Sequence, residues 1–309
     1  MNLYYAPLEG ITTYTYRNTH AEFFGGCDGY FAPFITPSDN EKIGMKCLRD
    51  INPDVNKTNV TVQVLTNRAD SFHKFEHKIR DLGYDSVNIN LGCPSGTVVK
   101  KNRGSGFLRD PEGIERFLDG VFDETKLKIS IKTRSGFASG AELDNLMEVY
   151  NRYKLTSLII HPRARADFYN GVPDMAVFEK AYNISQNDVC YNGNVFSKRE
   201  YTEICEKFPR LEGVMFGRGA VMNPAIFREI KGGSSLETRE LIEFTGILAE
   251  RYLKVLGSEI YTLHKLKEIW MYIMWNFPDE KKTLKAVKKS DKLGDLLAAI
   301  RNLPEIPKE

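Results

Sequence analysis

The sequence predicts an α/β protein in which a (β/α)₈ TIM barrel is followed by a small all-α domain. Eight strand-like runs occur up to Phe216, and an amphipathic helical pattern follows most of them. Several runs are almost continuously apolar, which is typical of strands buried on both faces of a parallel sheet. No Gly-x-Gly-x-x-Gly motif follows the first run, which disfavours a doubly wound sheet.

The strand predictions begin with Leu3–Ala6, which ends at Pro7. The eight predicted strands are Leu3–Ala6, Tyr30–Ala32, Val60–Val64, Ser86–Asn90, Lys128–Lys132, Ser157–His161, Val189–Tyr191 and Gly213–Phe216. The helical patterns between them include Ser71–Leu82, Glu112–Phe122, Glu142–Tyr153 and Lys198–Phe208. Strands alternating with helices at this spacing indicate a parallel barrel.

A Gly/Ser-rich segment at residues 231–235 marks a change in the pattern. Beyond it the sequence predicts no further strand, only the helices Leu236–Leu256, Glu259–Phe277, Glu280–Lys288 and Lys292–Leu303. We therefore predict a catalytic barrel over residues 1–231 and a separate helical domain over residues 236–309.

Composition limits the class of protein. The chain has 309 residues, 42% hydrophobic content and a net charge of +2, so nucleic-acid affinity must come from local patches. No apolar run of 18 residues or more and no signal-peptide pattern is found, which predicts no membrane segment. Five cysteines without Cys-x-x-Cys spacing predict reduced thiols in the cytoplasm and no metal site. Nothing implies an oligomer, and we expect a monomer.

The most informative motif is Asn88-Ile-Asn-Leu-Gly-Cys93-Pro94. Apolar and polar residues alternate up to Leu91, as in a strand, and Gly92 and Pro94 then stop regular structure. A single thiol, Cys93, is thus predicted on a loop at the carboxyl end of a strand, where parallel α/β proteins carry their chemistry. The residues Lys100, Lys101 and Arg103 follow in a basic loop.

Polar residues also stand at the ends of other predicted strands, namely Gln63, Lys132, Arg134, His161, Arg163, Asn192, Asn194 and Arg218. The turns around Gly193 and Gly217 follow strands seven and eight, where such barrels often bind a phosphate through backbone N–H groups. Arg218 offers a charged fork to the same group. Two ordinary tight turns are the alternative for these segments.

In this order and at these positions the motifs resemble those of flavin-dependent tRNA-dihydrouridine synthases, over essentially the whole chain. The matching segments are 6–10, 62–63, 88–94, 104–106, 131–134, His161, 192–193 and 217–220. The resemblance implies a barrel that holds FMN, a helical tRNA-binding domain, and NADPH-driven reduction of uridine to 5,6-dihydrouridine.

The same resemblance implies roles for individual residues. The isoalloxazine ring would contact Pro7, Leu8 and Gln63. Its pyrimidine edge would lie near Lys132 and His161, and the phosphate near Asn192, Asn194, Gly217 and Arg218. The substrate would meet Asn90, Lys100, Arg103 and Arg134, and Cys93 would donate the proton. The chain has Pro162 and Ala164 where the family usually has Gly and Thr around Arg163, and Asn194 in place of Asp.

The chemistry of a thiol fits the implied role of Cys93. Hydride delivery to C6 of uracil leaves negative charge over C5 and O4, so C5 must be protonated. A free thiol has a pKa near 8.5 and is mostly protonated at neutral pH, so it can serve as a general acid without tuning. Because nearby cations would favour the thiolate, we expect Lys100, Lys101 and Arg103 to face RNA phosphates instead.

The densest positive run of the chain lies in the predicted helical domain, at Lys281, Lys282, Lys285, Lys288 and Lys289. It is interpreted either as a contact with tRNA or as a solvated helix face. Two further functions stay open from the sequence: another FMN barrel that acts on a small molecule, similar to dihydroorotate dehydrogenase, and a non-catalytic RNA-binding protein. The helical appendage disfavours the first, and the presence of Cys93 disfavours the second.

Overall fold

A computed structural model describes residues 1–37 and 44–307, apart from the side chains of residues 45 and 46. The elements of the barrel region are β1 (Asn2–Tyr5), α1 (Tyr14–Phe23), β2 (Gly29–Phe31), α2 (Met45–Ile51), β3 (Val60–Thr61), β4 (Gln63–Val64), α3 (Ala69–Asp81), β5 (Ser86–Leu91), α4 (Gly96–Val99), α5 (Pro111–Glu124), β6 (Lys128–Gly136), α6 (Leu143–Tyr150), β7 (Leu158–Ala164), α7 (Met175–Ile184), β8 (Val189–Tyr191), α8 (Lys198–Lys207), β9 (Gly213–Phe216), α9 (Arg218–Met222) and α10 (Ile226–Ile230). The helices that follow are α11 (Thr238–Leu256), α12 (Glu259–Ile273), α13 (Lys281–Lys289) and α14 (Leu293–Ile300).

The strands form one parallel sheet in the order β3-β2-β1-β9-β8-β7-β6-β5-β4. Its edge strands β3 and β4 are separated in the chain by Val62 alone, whose carbonyl accepts a hydrogen bond from Asn88 N at 2.9 Å. Ile35, beyond the end of β2, bridges to Val64. The sheet therefore closes on itself, and the predicted (β/α)₈ barrel with helices after it is confirmed.

Two details of the predicted strands were wrong. The segment Val60–Val64 is divided, because the chain changes its hydrogen-bonding partner at Val62 from β2 to β5. Strands β6 and β7 also run past their predicted ends, since Arg134 pairs with His161 and Gly136 with Ala164. Arg134 and Arg163 thus lie within strands rather than in the loops beyond them, because ladder hydrogen bonds between backbones do not depend on side-chain polarity.

The helices after residue 236 pack on the barrel at the side of α1. Phe244 on α11 contacts the Tyr16 ring edge-to-face at 5.8 Å between centroids. Lys265 on α12 donates from Nζ to the carbonyl of Gly10, which follows β1, at 2.6 Å. The predicted helix Glu259–Phe277 ends earlier, at Ile273, and continues as a 3₁₀ turn over Met274–Asn276. In the described chain no helix has both the length and the apolar character needed to cross a membrane.

A buried histidine in the core makes stability depend on pH. His20 on α1 is fully buried, and its Nε2 lies 2.8 Å from the Pro224 carbonyl, which can only accept. The proton therefore sits on Nε2, and Nδ1 accepts from the Tyr30 hydroxyl at 2.7 Å. Burial lowers the pKa of His20 from 6.5 to about 4. The folded protein thus keeps this ring neutral where the unfolded chain protonates it.

We expect the free energy of unfolding to fall by roughly 2 kcal/mol through His20 as the pH drops from 7 to 5. The loss begins near the unfolded pKa of 6.5 and ends near 4, because in this window only the unfolded state binds the proton. The measurement is urea unfolding at both pH values for the parent and for His20→Asn. The variant should be less stable at pH 7 but less pH-dependent by this amount. The control is His264→Asn, because His264 is exposed. Equal pH dependence of the unfolding free energy in the parent and in His20→Asn would contradict the role of His20.

Candidate active site

A cavity of about 140 Å³ opens at the carboxyl ends of the barrel strands. Eight predicted site residues line it: Pro7, Leu8, Gln63, Asn90, Cys93, Lys132, Arg134 and His161. The wall also contains Glu9, Pro33, Phe34, Gly92, Pro94 and Tyr169. The barrel thus brings together residues that are up to 162 positions apart in the chain, from Pro7 to Tyr169, at the end where such barrels carry their sites.

A chain of amide side chains crosses the interior below this cavity. Asn90 Nδ2 donates to Gln63 Oε1 at 2.8 Å, and Gln63 Nε2 donates to Asn88 Oδ1 at 2.7 Å. Asn88 Nδ2 in turn donates to Ser130 Oγ at 2.9 Å. All four residues are buried. Because each amide donates to the next, the orientation of Gln63 and Asn90 toward the cavity is fixed.

The loop that carries Cys93 is held by hydrogen bonds on both sides. Asn90 Oδ1 accepts from the backbone N of Gly92 at 3.1 Å and of Cys93 at 2.9 Å. The Cys93 carbonyl accepts from Ser105 Oγ at 2.8 Å. Gly104 has a φ of +54°, and a methyl group there would lie 2.9 Å from the same carbonyl, so only glycine fits. Asn90, Ser105 and Gly104 therefore position the thiol.

The environment of Cys93 keeps its sulfur protonated. Burial raises the pKa of the Cys93 thiol most, and the nearby Glu9 carboxylate raises it further. A hydrogen bond with the Ser95 backbone opposes this rise, as do the charges of Arg134 and Lys132. Lys100, Lys101 and Arg103 are not among the charges that govern this sulfur. The first two are exposed and Arg103 is half-buried, with Nε 3.4 Å from Asn67 Oδ1. None of the three lines the cavity.

Arg134 is almost fully buried and binds backbone carbonyls. Its Nε donates to the Gly92 carbonyl at 3.0 Å, and its Nη1 donates to Ala164 and Phe168 at 3.0 and 2.7 Å. Its guanidinium lies under the ring of Tyr169, 5.2 Å from the centroid. Arg134 therefore joins the Cys93 loop to the segment after β7.

His161 is a neutral imidazole. Burial, together with the positive charges of Arg134, Lys132 and Arg163, lowers the pKa of His161 well below its usual value. Arg163 donates from Nη1 to His161 Nε2 at 3.0 Å. Because Nε2 accepts, the proton of the neutral ring must lie on Nδ1. Arg163 itself also donates to the carbonyls of Asn170 and Gly171, at 3.1 and 2.6 Å, and supports the loop after β7.

The remaining predicted residues lie beside the cavity rather than in its wall. Arg218 Nη2 donates to Asn194 Oδ1 at 3.0 Å, and this oxygen also accepts from Arg163 at 3.3 Å. The Arg218 guanidinium lies between the rings of Tyr169 and Phe196, at 5.1 and 5.9 Å. Asn192 Nδ2 donates to the Met215 carbonyl between β8 and β9 at 2.8 Å.

Glycine occupies the positions in these two turns for different structural reasons. A methyl group on Gly193 would lie 2.0 Å from the Tyr191 hydroxyl, and one on Gly219 would lie 2.0 Å from the Val195 carbonyl. Packing inside the protein therefore requires glycine at both positions, and the phosphate site predicted at these turns stays a prediction. A methyl group on Gly217 would make ordinary contacts with the side chains of Ala6 and Leu8, at 3.8 and 3.9 Å, so packing does not require glycine there.

The site is suited to an anionic or electron-rich ligand. Within residues 1–37 and 44–307, none of Lys132, Arg134, Arg163 and Arg218 pairs with a carboxylate inside 4.0 Å. Lys132 also has no hydrogen-bond partner in this described part. Its burial, and next the positive charge of Arg134, lower the pKa of Lys132 to about 8. Because uncompensated cations close together repel one another, a bound anion would relieve the repulsion.

Three lining residues, Pro33, Phe34 and Tyr169, were neither predicted site residues nor part of the matching sequence segments. Pro33 and Phe34 directly follow β2, so their position at a strand end was a usable signal. Tyr169 lies five residues beyond β7 and is 49% exposed, in a segment with no pattern of its own. Only the folded loop places its ring near His161, with 6.0 Å between the ring centroids.

The sequence model of the family described as dihydrouridine synthase matches residues 4–303. A tRNA-dihydrouridine synthase B of Pseudomonas putida is 25% identical over 280 residues, 85% of this chain and 81% of that protein. An Arabidopsis thaliana protein named as tRNA-dihydrouridine(47) synthase-like is 30% identical over 174 residues, 55% of this chain but 25% of that protein. An old yellow enzyme homologue from Zymomonas mobilis superposes with a TM-score of 0.54 at 10% identity, covering 76% of this chain and 90% of that one. This last likeness concerns the fold alone.

Proposed function

Because the chain belongs to the dihydrouridine synthase family, we propose that it reduces specific uridines of tRNA to 5,6-dihydrouridine, with FMN bound in the barrel and NADPH as reductant. One observation carries the proposal: the Cys93 thiol, on a loop held by Asn90, shares a cavity with Lys132, which has no carboxylate partner among the described residues. The name of the Pseudomonas putida relative supports tRNA as the substrate.

The residues present fit a flavin mononucleotide. Pro7, Leu8 and Gln63 offer apolar surface and an oriented amide to the ring. Lys132 and the Nδ1–H of neutral His161 offer donors to its electron-rich edge. For the phosphate we propose Arg218 and the backbone N–H groups around Gly217, with Asn192 and Asn194 as supports. These are positively charged or donor groups, as a phosphorylated ring requires.

The chemistry divides between cofactor and protein. When bound and reduced, the flavin supplies a hydride to C6 of the uracil ring. The protein must then deliver a proton to C5, and Cys93 holds that proton at Sγ because its pKa is raised. Asn90 keeps the Cys93 loop in place through its Oδ1 and keeps one Nδ2 hydrogen bond to Gln63. We propose that Asn90 and Arg134 also face the substrate base, and that Lys100 and Arg103 meet RNA phosphates.

The function is tested with the purified holoenzyme. The released cofactor should be FMN by chromatography and mass, because the proposed phosphate site ends the ligand and no dinucleotide-binding unit was found in the sequence. After anaerobic reduction by NADPH, an unmodified tRNA transcript should reoxidise the flavin and gain dihydrouridine by mass spectrometry. Reoxidation by orotate instead would favour the dihydroorotate dehydrogenase-like function, and stoichiometric FAD would contradict the cofactor assignment.

We further propose that residues 236–309 form a domain that binds tRNA. On α13 the five lysines at 281, 282, 285, 288 and 289 are exposed, while Val287 is buried against the neighbouring helices. The lysines thus form a positive face on a helix that is anchored by its apolar side. Lysines bind the phosphate backbone as point charges and release counterions.

The variant Lys281/Lys285/Lys288→Ala should flatten the dependence of tRNA affinity on salt. Each lost phosphate contact changes the log–log slope by roughly 0.7–0.9, so three contacts would change it by about 2–3. Reduction of the flavin by NADPH should stay as in the parent. A control variant, Lys126/Lys128/Lys207→Ala, removes three charges where α8 ends and β6 begins, at the end of the barrel opposite the cavity. Superimposable salt curves for α13 variant and parent would show that this face is merely solvated.

A further inference from the structure

A second cavity of about 160 Å³ lies between the rim of the barrel and the helices α11 and α12. One wall consists of Thr13 and Tyr14 at the start of α1, and the facing wall contains Tyr252, Val255 and Leu256 near the end of α11. A buried water needs roughly 10–15 Å³ of such cavity volume, so the cavity can accommodate a ring of many atoms. We call it the rim cavity.

The rim cavity adjoins the candidate active site directly. Glu9, Pro33 and Phe34 line both cavities, so these three residues form a shared wall. Lys265, which lines the rim cavity, donates to the Gly10 carbonyl at 2.6 Å and so fixes the loop that carries Glu9. A polymer with one residue in the active site therefore has its next residue within reach of the rim cavity.

The lining has the chemistry of a site for a planar heterocycle. Aromatic and aliphatic side chains predominate, and Thr13 Oγ1 and the Tyr252 hydroxyl, 3.4 Å apart, supply polar atoms. Arg49 is exposed at the mouth, with its guanidinium 5.7 Å from the centre of the Tyr14 ring. Apolar faces with a few polar groups and a nearby cation are what a nucleoside with its phosphate requires.

Among the residues that the structure describes, the carboxylates around this cavity do not pair with Arg49. Asp50 accepts from the Tyr14 backbone N at 2.6 Å and pairs with the buried Arg17 at 3.2 Å, so its charge is engaged inside the protein. Glu9 is exposed on the shared wall, where its oxygens can accept from the amino or imino groups of a base edge. Arg49 stays available to a phosphate at the mouth.

We propose that the rim cavity binds the nucleobase adjacent to the target uridine in the RNA chain. This inference rests on the proposed function and specifies how that site takes its substrate. When the target base leaves its stack, the neighbouring base loses a stacking partner. Tyr14 and Phe34 replace that partner, and the shared wall separates the two bases. The cavity thereby helps to hold the RNA in the extended form that the active site needs.

The test uses two variants of α11 in the holoenzyme. Val255→Phe fills the rim cavity, and Leu253→Phe places the same ring on an exposed position of the same helix that does not line the cavity. We expect Val255→Phe to raise the tRNA concentration for half-maximal flavin reoxidation roughly tenfold or more, the range of a lost stacking contact. The rate of flavin reduction by NADPH should stay within about twofold of the parent. Leu253→Phe should match the parent in both measurements.

Each other outcome has a distinct meaning. A variant Val255→Phe with the tRNA dependence of the parent overturns the proposal. Slower reduction by NADPH with unchanged tRNA dependence also overturns it, because the occupant would then be part of the dinucleotide. If the parent itself shows no tRNA-dependent reoxidation, the proposed function fails, and the rim cavity is not at issue.

A measurement on the parent protein removes any dependence on the folding of the variants. A synthetic tRNA carries 4-thiouridine directly 5′ or 3′ of the mapped dihydrouridine position and is irradiated on the parent enzyme. Crosslinks from one of these positions to the peptides around Tyr14 or around Tyr252 to Leu256 are expected. Crosslinks from both positions exclusively to other peptides would overturn the proposal.

Discussion

Replacing Cys93 by Ala is expected to slow tRNA-dependent oxidation of the reduced enzyme by roughly 10²- to 10⁴-fold, the usual contribution of a positioned general acid. The reason is that no proton would remain at the end of the loop held by Asn90 and Ser105. Flavin content and its reduction by NADPH should be unchanged, because neither step needs this proton. Anaerobic stopped-flow absorbance, first with NADPH and then with tRNA, measures both steps separately.

The pH dependence provides an independent readout of the same group. Burial and Glu9 raise the pKa of Cys93, so the acid form persists through neutral pH and is lost only above that raised pKa. The parent rate with tRNA should therefore be flat between about pH 6 and 7. At higher pH the loss of the thiol proton should add to the loss of charge on Lys132, whose pKa is about 8. The control is Cys205→Ala, whose sulfur lies 3.0 Å from Met1 Sδ at the other end of the barrel. Equal turnover of Cys93→Ala and parent on tRNA would remove Cys93 from the mechanism.

Replacing Arg218 by Ala is expected to raise the dissociation constant for FMN by roughly 10- to 150-fold. A hydrogen bond to a charged group contributes about 1.5–3 kcal/mol, which corresponds to that range. The guanidinium is held between Tyr169 and Phe196 and bonded to Asn194, so it is already in place before a ligand arrives. The measurement is flavin fluorescence during titration of the apoprotein with FMN.

Two further variants make this result specific. Arg218→Lys keeps the charge but loses the planar fork, so its affinity for FMN should lie between those of parent and Arg218→Ala. Arg199→Ala removes an exposed arginine of α8 that pairs with Glu203 at 3.8 Å, and it should bind FMN as the parent does. An unchanged dissociation constant for Arg218→Ala would place the phosphate elsewhere.

The strand pattern predicted most of the barrel, because burial on both faces leaves a local signature. Val189–Tyr191 and Gly213–Phe216 have the predicted bounds, since each is a short apolar run that ends at a polar residue or a glycine. The break at Val62 had no such signature, because it depends on which neighbouring strands are within reach. The ends of β6 and β7 were missed for a related reason: the buried Arg134 and Arg163 read locally as loop residues.

The candidate site divides in the same way. Residue type and position at a strand end identified Cys93, Gln63, Lys132 and His161, because the carboxyl ends of parallel strands must meet at one face. The roles of Arg134 and Arg163 could not be predicted from the local sequence pattern. Arg134 donates to the carbonyl of Phe168, which is 34 residues further along the chain. Arg163 donates to Nε2 of His161 and so determines which tautomer that ring adopts. Such contacts exist only once distant segments pack together.

The sequence by itself thus determined the barrel, the helices after it and a thiol on the loop after β5, since these follow from periodicity and from turn residues. Only the tertiary structure decided that this thiol stays protonated, because its pKa depends on burial and on Glu9 across the cavity wall. Only the tertiary structure also formed the rim cavity, whose walls come from α1 and α11, more than two hundred residues apart. Local sequence patterns carry no information on such pairs, since the free energy that joins them comes from contacts made on folding.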